Sequence, residues 1–186
     1  MSTFENARES QAEVARGMIA PAGKAPRRGY RLRDFTLPSS EPRDISISDY
    51  RGRANLVLVF GGALDATTAW LQQLSRVASL REENAQALAV LDVSPIIAKR
   101  HKDMLRICFP LLADVGGRVH REYGAIDAAN CPTSAIYVAD RFGEVFVARQ
   151  PTQNFASDFD EILRTLQFIN SQCPECEPPE WPLDPC

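Results

Sequence analysis

The sequence of 186 residues predicts an α/β fold in which helices flank a mixed central sheet. Segments that are apolar at every position, as in Leu56–Phe60, are typical of strands buried on both faces. They alternate along the chain with segments of helical periodicity, which indicates strand–helix–strand crossovers. The chain then closes with two strands and a helix, so the predicted sheet combines parallel and antiparallel pairs.

The N-terminal residues are predicted to form an extension that precedes the domain. A weak amphipathic pattern indicates a short helix over residues 1–18, and a stretch of Pro, Gly and basic residues indicates a linker up to Gly29. Alternating polar and apolar residues around a turn predict a small hairpin from Asp34–Pro38 and Asp44–Ile47. We therefore place the extension and linker at 1–29, and this hairpin opens the domain.

The middle of the chain alternates between buried strands and amphipathic helices. Ser94 is a favourable N-cap and Pro95 suits the first helical position, so a helix is predicted to begin there. A stripe through Trp70, Leu71 and Leu74 supports the helix before it. The predicted elements are strands at 56–60, 87–93 and 109–114, and helices at 66–83, 94–105 and 118–123.

The last predicted elements are a hairpin, a helix and a tail. Strands at 135–139 and 144–149 flank a tight turn, and a helix capped by Ser157 or Asp158 follows them. The residues after the helix contain five prolines and no periodicity, which predicts an irregular tail. The resulting bounds are 30–171 for the domain and 172–186 for the Pro- and Cys-rich tail.

The order and spacing of several short motifs resemble the AhpC/TSA family of peroxiredoxin-like redoxins. Each motif is weak alone, but their common order extends over roughly 30–169, most of the chain. The motifs are Asp34–Pro38, Ser48–Gly52, Leu56–Phe60, Phe109–Asp114 and Ile136–Gly143. The resemblance implies a thioredoxin-like fold and thiol-based redox or antioxidant chemistry.

The resemblance also implies that the reactive residue of the family is missing. In the family, the elbow between the central strand and its helix carries a peroxide-attacking cysteine, and the matching position here is Ala69. The supporting arginine of the family would fall near Ser134. Thr67 and Thr68 are poor substitutes, because a hydroxyl nucleophile needs an adjacent base and no histidine is near in sequence. We expect no classical peroxidase activity at this elbow.

Two glycines at the elbow, Gly61 and Gly62, admit two interpretations. The favoured one is a tight strand-to-helix turn that needs permissive backbone. The other is a set of exposed amides at a helix N-terminus that could hold a small anion or thiol.

The tail motif Cys173-Pro174-Glu175-Cys176 is the one local pattern with chemical content. A Cys-x-x-Cys pair can cycle between dithiol and disulfide, so Cys173 and Cys176 are the candidate catalytic residues. Their position past a helix C-terminus disfavours a thiolate. The pair also resembles half of a zinc ribbon, but only Cys186 is nearby as a further ligand. A purely structural role is the third interpretation.

The other cysteines and the histidines receive weaker predictions. By the resemblance, Cys131 lies in the loop opposite the elbow and could approach it; the alternative is a small buried residue at a strand start. Cys108 is predicted to be a core residue. His101 and His120 stand among charged residues, so we predict that both lie on the surface and assign neither a role.

Composition limits the partners and the compartment. A net charge of −3 gives no electrostatic reason to bind nucleic acid or an anionic membrane. No run approaches the ~18 apolar residues of a membrane span, and charged residues near the N-terminus disfavour a signal peptide. The odd number of cysteines, five, disfavours a secreted disulfide framework, so we predict a cytoplasmic location.

The sequence therefore predicts a thiol redox protein in which exchange resides in Cys173 and Cys176. The expected partner is a protein thiol or disulfide, and we assign no cofactor and no complete metal site. The alternative is a non-catalytic redoxin scaffold that acts as a binding or homodimerisation module, with zinc held by paired tails as a further variant.

Overall fold

A computed structural model describes residues 18–19, 24–61, 64–76, 79–152 and 154–172 of the chain. The predicted helix over residues 1–18 lies outside this part except for Met18, which begins a strand. Cys173, Cys176 and the rest of the tail lie outside it as well.

The described residues form nine strands and five α-helices. The strands are β1 (Met18–Ile19), β2 (Tyr30–Arg31), β3 (Thr36–Leu37), β4 (Ile45–Ser46), β5 (Asn55–Gly61), β6 (Ala85–Leu91), β7 (Leu111–Ala113), β8 (Ala135–Ala139) and β9 (Val145–Arg149). The helices are α1 (Leu64–Ser75), α2 (Ser79–Glu82), α3 (Pro95–Leu105), α4 (Arg118–Glu122) and α5 (Phe155–Ser171). A 3-10 turn at Ile47–Tyr50 leads towards β5. No helix in these residues is both long and apolar enough to cross a bilayer.

The central sheet has five strands in the order β7-β6-β5-β8-β9. Strands β5, β6 and β7 run parallel, whereas β8 is antiparallel to β5 and β9 is antiparallel to β8. The short strands β3 and β4 form the predicted hairpin. The predicted α/β class with a mixed, thioredoxin-like central sheet is confirmed.

Both faces of the sheet are covered, which explains why β5 is apolar along nearly its whole length. All seven residues of β5 are buried. Alternate side chains point to opposite faces: Leu58 and Phe60 join one hydrophobic cluster, and Val57 and Val59 join the other. The first cluster includes residues of the β3–β4 hairpin and α4; the second includes residues of α1, α3 and α5.

The outer edge of β7 is covered by a segment near the β3–β4 hairpin. The amide of Ser40 donates to the carbonyl of Leu111 at 2.8 Å, and the amide of Ala113 donates to the carbonyl of Pro38 at the same distance. The Ser40 hydroxyl accepts from the Leu111 amide at 3.1 Å. The backbone of β7 is therefore hydrogen-bonded on both sides.

The prediction of one helix over 66–83 is wrong. Helix α1 ends at Ser75, whose hydroxyl accepts from the amide of Cys108 at 3.2 Å. The short α2 follows, and Asn84 turns the chain into β6 with a φ of 47°. This break lets Leu80 enter the core, where it is 6 % exposed.

The predicted cap of the last helix is also wrong. Asn154 is the N-cap, and its side chain accepts from the amide of Ser157 at 3.4 Å. Asp158 instead lies in the first turn with its carboxylate fully buried. Sequence favours Asp at a cap, but here tertiary partners inside the protein take the carboxylate.

Candidate site at the end of the central strand

The candidate site lies at the C-terminal end of β5, where the chain passes into α1. Strand β8 runs antiparallel to β5 with Ala135 opposite Phe60, so Ser134 lies beside the end of β5. The hydroxyl oxygens of Thr67 and Ser134 are 3.4 Å apart. The topology thus brings the elbow and the loop before β8 into contact.

Ala69 and Ser134 line the same cavity, which has a volume of about 480 Å³. These are the two positions at which the resemblance puts the cysteine and arginine of the family. We call this space the elbow cavity. Its lining comes from α1, from the loop before β8 and from the connection between β9 and α5: Ala69, Trp70, Gln73, Thr133, Ser134, Gln150, Pro151, Thr152 and Phe155.

Gly61 is required by close packing and not by a turn. It is the last residue of β5, and it is not among the glycines with positive φ. A Cβ at this position would lie 2.3 Å from Leu91 Cδ2 and 3.1 Å from Thr67 Cγ2. The permissive-turn interpretation of Gly61 is therefore wrong, while Gly62 lies outside the described residues.

The prediction that His120 lies on the surface is wrong. Its side chain is fully buried beneath the elbow, with its ring 5.1 Å from that of Phe60. Nδ1 lies 2.7 Å from Asp114 Oδ2, and Nε2 lies 3.2 Å from the carbonyl oxygen of Gly61. Both ring nitrogens therefore face oxygen atoms, and neither is directed at solvent or at the elbow cavity.

The burial of His120 was not predicted because its neighbours in the sequence are charged. Arg118, Arg121 and Glu122 lie on the exposed side of the short α4, whereas Val119 and His120 are buried. The signal that could have revealed it is Asp114, because a carboxylate just before a helix is typical of an anchor for amides and side chains in its first turn.

The Asp114 carboxylate is held by three donors from α4. It accepts from the amides of Val119 at 3.1 Å and His120 at 2.8 Å, besides contacting the His120 ring. Burial raises the pKa of Asp114, but the His120 side chain and the two backbone amides lower it more, so the pKa lies below its ordinary value.

Two buried tyrosines close this face of the sheet. The hydroxyl of Tyr137 donates to the carbonyl of Tyr123, and the hydroxyl of Tyr123 donates to the carbonyl of Arg33. Burial raises the pKa of Tyr137 to about 12. Both phenols therefore stay protonated at neutral pH and act as structural donors.

A second buried carboxylate, Asp158, supports the elbow cavity from the other face. It accepts from the Thr152 amide at 2.9 Å and from Trp70 Nε1 at 3.4 Å. Arg149 Nη2 lies 2.8 Å from it. Burial raises the pKa of Asp158, but Arg149 and Thr152 lower it more, so the net pKa is below the ordinary value.

The cysteines are distributed differently from the predictions. Cys131 is exposed and free, so its interpretation as a buried residue is wrong, and Thr133 and Ser134 of the same loop line the elbow cavity instead. Cys108 is half-buried against the core as predicted, and it is disulfide-bonded. Cys108 was predicted only as a core residue, and its disulfide was not predicted.

Other predicted site features remain apart from the elbow. His101 is half-buried on α3, and its Nδ1 has no hydrogen-bond partner among the described residues, so its placement on a solvated face is only partly right. Within the described ranges, no group of three or more His, Cys, Asp or Glu side chains could hold a metal ion. Cys173 and Cys176 lie outside those ranges.

The fold and the strand-end site together define a peroxiredoxin-like redoxin, with no thiol among the described residues that line the elbow cavity. The model of the AhpC/TSA family matches residues 29–148. This match covers well over half of the chain, and the chain belongs to the AhpC/TSA family.

Curated relatives and solved structures agree with this assignment. The chain is 28% identical over 141 residues to the chloroplastic peroxiredoxin Q of Sedum lineare, covering 73% of this chain and 75% of that protein. For the chloroplastic peroxiredoxin Q of Gentiana triflora, identity is 23% over 162 residues, with 84% and 68% covered. The fold is similar to that of peroxidoxin BcpB from Mycobacterium tuberculosis, with a TM-score of 0.68, 20% identity, and 82% and 99% covered. The mitochondrial 2-Cys peroxiredoxin of Plasmodium falciparum gives a TM-score of 0.67 at 15% identity, with 79% and 96% covered.

Proposed function

We propose that this member of the AhpC/TSA family carries out thiol–disulfide exchange through Cys173 and Cys176 of the tail, and that Cys108 is the thiol of the domain with which the tail exchanges. The observation that carries the proposal is the disulfide at Cys108.

The residues at the elbow support the proposal that the reactive thiols lie elsewhere in the chain. Ala69 offers no nucleophile, and Thr67 is buried with its hydroxyl 3.4 Å from that of Ser134. The nearest histidine, His120, is fully buried, and its Nε2 faces the carbonyl of Gly61. Among the described side chains, His120 therefore does not serve an oxygen nucleophile at the elbow as the adjacent base that it needs.

The count of cysteines supports a role for the tail. The chain has five cysteines, of which Cys131 is free and Cys108 is disulfide-bonded. The remaining three are Cys173, Cys176 and Cys186. We propose that one of these three is the partner of Cys108.

The proposed exchange is a two-electron transfer to a partner disulfide. The Cys173 thiolate attacks one sulfur of that disulfide, which forms a mixed disulfide and releases one partner thiolate. The Cys176 thiolate then attacks the sulfur of Cys173, which forms the Cys173–Cys176 disulfide and releases the second partner thiolate. The partner disulfide is reduced, the tail dithiol is oxidised, and the two protons of the dithiol end on the partner thiols.

Alkylation and mass spectrometry test the exchange. The reduced protein is incubated with glutathione disulfide and then quenched with an alkylating agent, so that each oxidised cysteine is identified. We expect Cys173→Ser and Cys176→Ser each to slow the oxidation of Cys108 at least tenfold, since the proposal routes exchange at Cys108 through the tail. Cys131→Ser is the matched control and should change the rate of Cys108 oxidation less than twofold, because Cys131 is free and takes no part in the proposed exchange.

A peptide map of the untreated protein adds the second half of the test. We expect Cys108 to be linked to a peptide from the tail. An unchanged exchange rate in the Cys173→Ser/Cys176→Ser double variant would overturn the exchange by the tail, and a Cys108 linked only to a second copy of itself would overturn its intramolecular role.

A second candidate is the non-catalytic scaffold, which is favoured because no described residue that lines the elbow cavity carries a thiol. In this case all cysteine variants would show the same slow exchange, and the chain would form a homodimer that Trp181→Ala weakens. Light scattering after size exclusion measures the mass. Metal analysis tests zinc held by two tails, for which about half an equivalent per chain is expected.

The compartment and the partner stay predictions. We predicted a cytoplasmic location, while the curated relatives are named as chloroplastic proteins. A related structure from Plasmodium yoelii is described as an octamer that arises from a modified N-terminus. Fractionation of the native source and a native mass measurement test these predictions.

A further inference from the structure

The outer side of helix α3 carries apolar side chains that are exposed in the described part of the protein. Ile97 is 40 % exposed and Met104 is 64 % exposed. Their positions differ by seven residues, which is close to two helical turns, so both lie on one side of the helix. Arg100 lies between them, one turn from each, and is also exposed. We call Ile97, Arg100 and Met104 the α3 stripe.

The C-terminal end of the α3 stripe is close to Cys108. Helix α3 ends at Leu105, and the amide of Ile107 donates to the carbonyl of Lys102 at 3.0 Å, which turns the chain back against the last turn of the helix. Arg106 lies in this turn and is exposed. Cys108 follows directly, half-buried and disulfide-bonded. A segment that is joined to Cys108 therefore begins next to the stripe.

The tail has a charge and an apolar side chain that complement this side of α3. Helix α3 and its C-cap contain four basic residues and one acidic residue. Residues 173–186 contain no Lys or Arg and four acidic residues, which are Glu175, Glu177, Glu180 and Asp184. Opposite charges favour the encounter of two surfaces and fix their register. Trp181 supplies the large apolar side chain that an exposed Ile and Met can cover.

The end of α5 and Cys108 border the same short part of the chain. Asn170 Nδ2 donates to Glu83 Oε2 at 2.8 Å, and Cys108 Sγ lies 3.2 Å from the carbonyl oxygen of Ser75. Ser75 ends α1, and Glu83 directly follows α2. The tail therefore begins beside the connection that Cys108 contacts.

The length of the tail matches the length of the stripe. Trp181 is five residues after Cys176, a span of about 15 Å in the extended conformation that prolines favour. Met104 and Ile97 are about 10 Å apart along the helix axis. With Cys176 beside Cys108, Trp181 can reach the stripe.

We propose that the α3 stripe is the docking surface for the tail of the same chain, residues 173–186. Trp181 packs between Ile97 and Met104, and Glu180 pairs with Arg100. The inference deepens the exchange function proposed above and rests on it in one respect, since docking is what brings the tail cysteines to Cys108.

Acrylamide quenching of tryptophan fluorescence tests the docking in the full chain. The chain has two tryptophans, and Trp70 is only 8 % exposed, so the Trp181→Phe protein supplies its contribution for subtraction. We expect Arg100→Glu/Met104→Ser to raise the quenching constant of Trp181 about threefold, because an undocked indole is open to solvent. The same variant should slow the oxidation of Cys108 by glutathione disulfide about threefold, because the tail cysteines spend less time near it.

A matched control and a charge exchange locate the effect. Val115→Ser/Arg164→Glu also removes one exposed apolar side chain and reverses one exposed arginine, but neither residue belongs to α3, so both readouts should stay within about 1.3-fold of wild type. Arg100→Glu and Glu180→Arg should each raise the quenching constant of Trp181 about twofold, and their combination should return it to the wild-type value.

The outcomes separate the docking from the exchange. Equal quenching constants in wild type and Arg100→Glu/Met104→Ser would overturn the docking, even where a peptide map links Cys108 to the tail and the exchange function stands. Stripe-dependent protection of Trp181 without that link would support the docking and overturn the role of Cys108 in the exchange. Protection that appears only as the protein concentration rises would show that the stripe takes the tail of a second copy, and a charge exchange that fails to restore protection would overturn the Glu180–Arg100 pair.

Discussion

Two buried carboxylates, Asp114 and Asp158, support the same end of the sheet from opposite faces. They differ in whether an open cavity lies beyond their hydrogen-bond partners. Asp114 holds His120, whose second nitrogen faces the carbonyl of Gly61, so every polar atom of that histidine ring is occupied. Asp158 holds Trp70 and the amide of Thr152, and beyond them lies the elbow cavity.

The difference shows that a buried histidine does not by itself make a site. The Asp114–His120 pair is buried, and the second ring nitrogen of His120 contacts the backbone carbonyl of Gly61, so the pair contributes to stability. The Asp158 carboxylate accepts from Trp70 and from the amide of Thr152, two residues that line the elbow cavity. The open space at this end of the sheet therefore lies on the Asp158 face, although the more familiar acid–base pair lies on the other.

The largest expected effect comes from His120→Phe. This change leaves the Asp114 carboxylate and the Gly61 carbonyl without their ring partner inside the protein, so we expect the free energy of unfolding to fall by about 3–5 kcal/mol. Urea denaturation measures the loss. His101→Phe is the control: the Nδ1 of that half-buried histidine has no hydrogen-bond partner in the part of the chain that the structure describes, and the change should stay within about 1 kcal/mol.

A double variant separates the Asp114–His120 hydrogen bond from simple packing. Asp114→Asn/His120→Phe removes both partners of the contact, so the sum of the single losses should exceed the loss in the double variant. Strictly additive losses would show that His120 stabilises the fold only by filling space. The comparison between Asp114 and Asp158 would then no longer hold.

The next effect is expected from Asp158→Asn, at about 2–3 kcal/mol, because charge-assisted hydrogen bonds to Arg149 and Thr152 are lost. Since the folded pKa of Asp158 is lowered, its stabilisation is complete above the unfolded value of about 3.9 and is lost as pH falls through the lower folded value. The gap between wild type and variant should be constant from about pH 5 to 8 and shrink below about pH 4. A gap that instead widens with acid would contradict the ion pair.

The smallest effect is expected where the two faces meet, at Gly61. Gly61→Ala puts a methyl 2.3 Å from Leu91 Cδ2, so a side chain in the core must shift, at about 1–2 kcal/mol. In a Leu91→Ala background the same substitution should cost much less. Thermal unfolding of the four proteins measures this coupling, and equal costs in both backgrounds would show that Leu91 is not the obstacle.

The order of strands was predictable because it depends on local patterns. Apolar runs such as β5 and the turn before β9 are visible in single segments, and the AhpC/TSA resemblance rested on their order. Element ends were less predictable: Ser75 ends α1 where its hydroxyl meets Cys108, a contact between residues 33 positions apart. Asp158 was predicted as a cap because its contacts with Arg149 and Trp70 are tertiary and are not visible in the sequence.

The candidate site was predictable in position but not in content. Ala69 and Ser134 were singled out by resemblance, and they do line one cavity. Trp70 was predicted only as a core residue, and Phe155 and Thr152 were not predicted at all, since the start of α5 and the connection before it reach the elbow only through the fold. His120 was missed because its polar sequence neighbours face outwards while it faces inwards.

The covered edge of β7 has a consequence for how the protein behaves in concentrated solution. An uncovered strand at a sheet edge offers amides and carbonyls to another chain and is a common start of aggregation. Here Pro38 and Ser40 already bond to Ala113 and Leu111, so a second molecule cannot add a strand until that segment is displaced. The short stretch before the β3–β4 turn thus protects the parallel half of the sheet against edge-to-edge polymerisation.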